Sequence, residues 1–250
     1  MATFLKDTPL LTVMLQCETP EVAIGRIRNA NCLGAEAYGL QAESLLPEYR
    51  TPAVYDRIFK ETGGRPVYVT NYRGAHNKGK TDEELAEGLL TLARSGATLC
   101  DVMGDYFCPH PEELTDDPNA IKKQVQLIDQ LHSEGAEVLM SSHVLKFTPA
   151  ERVLEIARAQ VHRGADIVKI VTGAETMAQQ IENLRITDLL KQELGAPFLF
   201  LSGGMSTIHR RLGMKLGCCM GLCVYEHDHL STKAQPLLST MKTIRDGIDF

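Results

Sequence analysis

The chain has 250 residues, 44% of them hydrophobic and 23% charged, with a formal net charge of −6. That is the size of one large globular domain or two small ones. No lysine- or arginine-rich run is present, which argues against nucleic acid and anionic membrane surfaces as partners. No segment approaches the roughly 20 apolar residues of a membrane span, and residues 1–7 do not read as a secretory leader.

Short apolar runs recur along the chain. They lie at residues 11–16, 35–41, 66–72, 99–104, 137–143, 167–172, 197–202 and 218–225. Each is read as a strand. Helical segments separate them. Thr19-Pro20-Glu21 offers a cap residue followed by proline at the first helical position. Thr81-Asp82-Glu83-Glu84 places acid in a first turn, and Thr148-Pro149-Ala150-Glu151 has capping-box spacing. The phrases Leu33-Gly34-Ala35, Ser95-Gly96-Ala97, Glu134-Gly135-Ala136 and Arg163-Gly164-Ala165 repeat at helix-to-strand junctions. Eight strands alternating with helices in this length predict a single (β/α)₈ TIM barrel over residues 1–250. The rival is an open doubly wound sheet, but no GxGxxG or GxxxxGK[ST] loop supports it.

The seven cysteines (17, 32, 100, 108, 218, 219 and 223) are odd in number and lack CxxC spacing. Reduced thiols in the cytoplasm are expected.

In such a barrel the chemistry belongs at the C-terminal ends of the strands. The sixth strand carries Lys169 inside the apolar run Ala165–Val171. Burying an ammonium is costly, and a lysine freed of its proton is a nucleophile toward ketones and aldehydes. A lysine simply paired with a carboxylate is the bland alternative. The fifth strand ends at His143, which the topology brings beside Lys169. A Schiff base at the lysine would acidify the neighbouring carbon–hydrogen bond, and the histidine could move that proton near neutral pH.

Ser142-His143, Lys146-Phe147-Thr148-Pro149 and Gly164-Ala165-Asp166-Ile167-Val168-Lys169-Ile170 resemble the type I 3-dehydroquinate dehydratase family. The resemblance implies that Lys169 forms the imine and His143 is the general acid/base. It implies that Arg211, in the segment 206–212, binds a substrate carboxylate. Ser231 and Gln235, in Ser231-Thr232-Lys233-Ala234-Gln235, match a lid loop that contacts substrate, and Arg73 matches another substrate-binding arginine. The implied substrate is a carboxylated cyclic ketone. No cofactor and no metal are expected, and the expected assembly is a homodimer.

Departures fall on the side of hydroxyl recognition. A Glu-x-Arg pair expected in the second strand reads Gly39 and Gln41, so Gln41 is left as the substrate-facing candidate. A glutamate expected to orient the histidine reads Asn77, leaving the histidine without a carboxylate and expected to titrate lower. An acidic position in the fourth strand reads Met103, with Asp101 retained two residues earlier. Three functions follow: water elimination from 3-dehydroquinate or a close relative, a Schiff-base aldolase or dehydratase of another keto acid, and an idle metabolite-binding relative. Glu226-His227-Asp228-His229 invites a metal, but no third ligand is evident, and a polar lid is the better expectation.

Overall fold

The computed structural model describes residues 2–204 and 207–248. Its strands are β1 Leu10–Leu15, β2 Ala37–Gln41, β3 Val67–Thr70, β4 Leu99–Met103, β5 Glu137–His143, β6 Ile167–Ala174, β7 Phe198–Gly204 and β8 Met220–Cys223. Each lies within two residues of a predicted run. The α-helices are α1 Pro20–Cys32, α2 Pro52–Lys60, α3 Asp82–Arg94, α4 Pro118–Ser133, α5 Ala150–His162, α6 Met177–Glu193, α7 Thr207–Leu216 and α8 Leu238–Gly247.

All strand pairs are parallel, in the order β7-β6-β5-β4-β3-β2-β1-β8. The sheet curls until its two edges meet, where Cys219 N donates to Phe198 O at 2.9 Å. The result is the predicted (β/α)₈ barrel. No helix among the described residues is long and apolar enough to cross a membrane.

Local chemistry accounts for most of the helix starts. Thr19 caps α1 with Pro20 at its first position, and Thr81 with Glu84 forms a full capping box on α3. The expected box at Thr148 does not form. Pro149 occupies the cap position of α5 and has no side-chain acceptor; Thr148 Oγ1 donates instead to Lys146 O at 3.1 Å.

Strand side chains alternate between two faces, as the two-residue period requires. Leu11, Val13, Leu15, Tyr38 and Leu40 pack toward the helices. Leu10, Met14, Ala37, Tyr68, Leu99, Leu139 and Leu199 belong to the second buried cluster, inside the barrel. Phe4 is fully buried among them, its ring edge against Tyr68 and its N donating to Glu137 Oε2 at 2.9 Å. The N-terminal end of the barrel is thereby filled, and open space remains at the other end.

Candidate active site

A cavity of about 190 Å³ opens at the C-terminal ends of the strands. Lys169 and His143 both line it, with Tyr68, Tyr72, Gln41, Arg210, Thr232 and Gln235. A wider hollow of about 460 Å³ adjoins it, bordered by Tyr72, Arg73, Met103, Glu113, His143 and Leu145. Another hollow of about 460 Å³ lies at the opposite end, around Lys6, Lys191 and Lys215, away from both residues. The mouth is identified by its converging chemistry rather than by size.

Strand register explains the meeting of the two catalytic candidates. Ser141 pairs with Lys169 and His143 with Val171, so both side chains face inward, about two residues apart along the barrel axis. Lys169 is 4% exposed. Its Nζ donates to Asp101 Oδ2 at 3.0 Å, Tyr72 Oη at 2.6 Å and Tyr68 Oη at 3.0 Å. Asp101 also accepts from both tyrosine hydroxyls and from Ser141 Oγ. The bland alternative, a buried lysine paired with a carboxylate, is thus part of the arrangement. A proton must leave Nζ before it can attack a carbonyl.

His143 does not lack a carboxylate. Glu113, from the long connection between β4 and α4, accepts from His143 N at 2.9 Å and lies 2.6 Å from Nδ1. Glu113 holds a left-handed backbone, φ 45°, and its carbonyl accepts from Ser142 Oγ at 2.7 Å. With Nδ1 committed to Glu113, Nε2 is the nitrogen left for substrate. Asn77 is instead a buried structural amide: its Nδ2 donates to Asn71 Oδ1 at 2.8 Å and Tyr72 O at 2.9 Å, and its Oδ1 accepts from Arg50. It steadies the backbone that carries Tyr72 and does not line the cavity.

Arg211 departs from expectation as well. Successive helical residues point about 100° apart, so only one of two adjacent arginines on α7 can face the mouth. Arg210 does so, its Nε donating to Ser202 O at 2.8 Å, whereas Arg211 folds back on Thr207 O at 2.7 Å. Ser206, the first residue of that segment, lies outside the described residues. No carboxylate among the described residues pairs with Arg210, and desolvation pushes its guanidinium down to about 10. It is a partly buried cation suited to an anionic group.

Arg73 borders only the wider hollow, and two carboxylates already hold it. Its Nε and Nη2 reach Asp82 at 2.7 and 2.6 Å, and Nη1 reaches Asp105 at 2.8 Å. Ser231 turns away from the cavity: its Oγ accepts from Asp228 N at 2.9 Å and donates to Asp228 O at 3.1 Å. Its neighbour Thr232 lines the cavity, tied down by Gln16 through bonds of 3.0 and 2.7 Å. Gln235 lines the cavity, and its buried Oε1 has no partner among the described residues. Gln41 also faces the cavity.

At Gly39 the space for a larger side chain is taken. A Cβ there would collide with Sδ at the flexible end of Met14 and lie 3.0 Å from Tyr68 Cδ1. Met103 is buried at the rim of the wider hollow. Around His227 and His229, both acids turn to Arg26: Glu226 at 3.6 Å, and Asp228 in a closer contact that holds its carboxyl down at about 2 against the opposing effect of burial. Among the described residues no group of three or more His, Cys, Asp or Glu side chains could hold a metal ion.

Tyr68, Tyr72, Glu113 and Arg210 were not singled out as site residues from sequence. Arg210 had a visible signal as half of an arginine pair. The tyrosines had a weaker one, as polar aromatics four residues apart at the third strand. Glu113 had none.

Comparison with known proteins bears on the fold and the family. The family model of type I 3-dehydroquinase matches residues 12–249. A 3-dehydroquinate dehydratase of Geobacillus thermodenitrificans (strain NG80-2) is 28% identical over 176 residues, 69% of this chain and 59% of that protein. The chain thus matches less than two thirds of the length of this curated relative. The crystal structure of 3-dehydroquinate dehydratase from Geobacillus kaustophilus HTA426 superposes with a TM-score of 0.82 at 15% identity, covering 98% of this chain and 95% of the other. The structure of the Enterococcus faecalis enzyme gives 0.79 at 14% identity, covering all of both chains. At such low identity the structural likeness speaks for the fold. The family match, spanning nearly the whole sequence, goes further: the chain belongs to the type I 3-dehydroquinase family.

Proposed function

We propose that this protein is a Schiff-base lyase that eliminates water from 3-dehydroquinate or a closely related carboxylated cyclic β-hydroxy ketone. The observation that carries this reading is a buried amine, Lys169, facing the same cavity as a histidine held by a carboxylate, Glu113. Lys169 condenses with the ketone and releases one water. The iminium draws electrons from the adjacent carbon, whose proton passes to His143 Nε2. The electron pair then expels the β-hydroxyl, which leaves as a second water after taking that proton. Hydrolysis of the imine frees the enone and restores the amine. Arg210, in place of Arg211, is the proposed carboxylate ligand, with Gln235, Thr232 and Gln41 as polar neighbours. Nothing in this scheme requires a cofactor.

A second reading, a Schiff-base dehydratase or aldolase acting on a different keto acid, is favoured by one specific observation. Met14 fills the space beside Gly39 where a ring-hydroxyl ligand would stand. Product analysis separates the two: dehydration keeps the carbon count and aldol cleavage divides it. Borohydride trapping with 3-dehydroquinate, read by intact mass, should add the substrate to the peptide bearing Lys169. Lys169→Ala should lose activity by several orders of magnitude, because the covalent route is removed. An adduct on another lysine, or an active Lys169→Ala, overturns the assignment.

Cytoplasmic residence is proposed on the seven cysteines, none of which is in a disulfide. A homodimer is the proposed assembly, and sedimentation equilibrium tests it.

A further inference from the structure

We propose that Tyr72 is a catalytic proton relay for imine formation, passing protons between Lys169, the substrate's carbonyl oxygen and Asp101, and leaving His143 to the carbon-bound proton. The proposal rests on the Schiff-base reading above. Its basis is a division visible in the hydrogen bonding. The side-chain partners of Lys169 Nζ among the described residues are Tyr68, Tyr72 and Asp101, and His143 is not one of them. His143 has its own carboxylate in Glu113, and Asp101 serves the lysine. Among the described residues the two systems meet where the Tyr72 and His143 rings pack edge-on, centroids 5.2 Å apart.

Tyr72 is the better placed of the two phenols. It lies 2.6 Å from Nζ, against 3.0 Å for Tyr68. It borders both the main cavity and the wider hollow, whereas Tyr68 lines the main cavity alone, is fully buried and carries Phe4 against its ring. Burial, together with the Asp101 charge, holds the Tyr72 hydroxyl well above its usual range, so it stays neutral. A group of that kind passes a proton on as it accepts one.

The step balances. The Lys169 ammonium gives one proton to Asp101. The free amine attacks the carbonyl carbon, forming the carbon–nitrogen bond and sending the π pair to oxygen. That oxygen takes the Tyr72 proton, and Tyr72 recovers one from the nitrogen, giving a neutral carbinolamine. Tyr72 then protonates the carbinolamine hydroxyl, which leaves as water while the nitrogen lone pair forms the iminium. Asp101 returns its proton to Tyr72. One ammonium and one ketone become one iminium and one water, with Tyr72 and Asp101 restored.

The test is rapid-quench borohydride trapping, scored by intact mass, with two probes: 3-dehydroquinate, and 3-oxocyclohexane carboxylate, which lacks ring hydroxyls. Tyr72→Phe should slow adduct formation roughly 10²-fold, the lower end of general acid–base effects. His143→Ala should form the adduct at close to the wild-type rate while failing to turn over. Tyr68→Phe should lose less than Tyr72→Phe. Difluorotyrosine at position 72 keeps the shape and changes only the acidity, so the adduct rate should move with it. Wild-type rates in Tyr72→Phe, equal losses in both tyrosine variants, or indifference to fluorination overturns the relay and leaves the Schiff base standing. No wild-type adduct with either probe overturns both.

Discussion

At the scale of single residues, two side chains carry the sharpest expectations. Arg210 has no carboxylate partner among the described residues, and an anionic substrate would supply one. Arg210→Lys replaces a planar fork by a point charge and should weaken carboxylate binding by about 1.5–3 kcal/mol, seen as a higher KM. Arg211→Ala, which loses only a bond to Thr207 O at 2.7 Å, should leave the kinetics unchanged. The reverse pattern would return the role to Arg211. Glu113 touches His143 and not the cavity that Lys169 lines. Glu113→Gln should lower kcat by no more than the roughly 10²–10⁴-fold that general acid–base catalysis contributes, with KM little altered and borohydride trapping intact. Unchanged kcat across the pH range would show that His143 needs no orienting carboxylate.

At the scale of elements, the turn after β2 buries a carboxyl. Glu43 accepts from Thr70 Oγ1 at 3.0 and 2.9 Å and from Tyr72 N at 3.4 Å, and burial pushes it up to about 7. A carboxyl raised on folding contributes stability that is fully present below its unfolded value and lost as pH rises through the folded one. Between about pH 4.5 and 7 the wild type should therefore lose roughly 2–4 kcal/mol relative to Glu43→Gln. Parallel urea-melt curves for the two proteins over that window would refute it. The turn also shows the limit of pattern reading. The strands were legible because apolar runs repeat between helix caps, and Lys169 was legible because a charge interrupts such a run. The segment supplying Glu113 has neither period nor cap. Its partner His143 lies 30 residues away, and a left-handed φ at a glutamate has no sequence signature. The arginine pair failed differently: a helix was predictable, but not its rotation, and rotation chooses between Arg210 and Arg211.

For the molecule as a whole, closure of the barrel makes the site. Lys169, His143, Tyr72, Asp101 and Arg210 come from five successive strands or the segments after them, and no two need be near in sequence. Filling the N-terminal end with Phe4 and the interior cluster directs the chemistry to the other end. That rule was available from eight alternating strands alone. The way the interior layers interlock was not, because it depends on which side chain takes the space its neighbours leave.

Met14 and Gly39 are Cα partners across β1 and β2, and the methionine occupies the room the glycine leaves. The two positions are therefore coupled. A side chain at 39 would require the end of Met14, its Sδ and Cε, to move. A barrel holding both side chains inward is overpacked, commonly about 1–3 kcal/mol less stable. Gly39→Glu alone should lower the melting temperature, and Met14→Ala should relieve that loss in the double variant. Simple additivity of the two changes would mean that Met14 yields its space without cost.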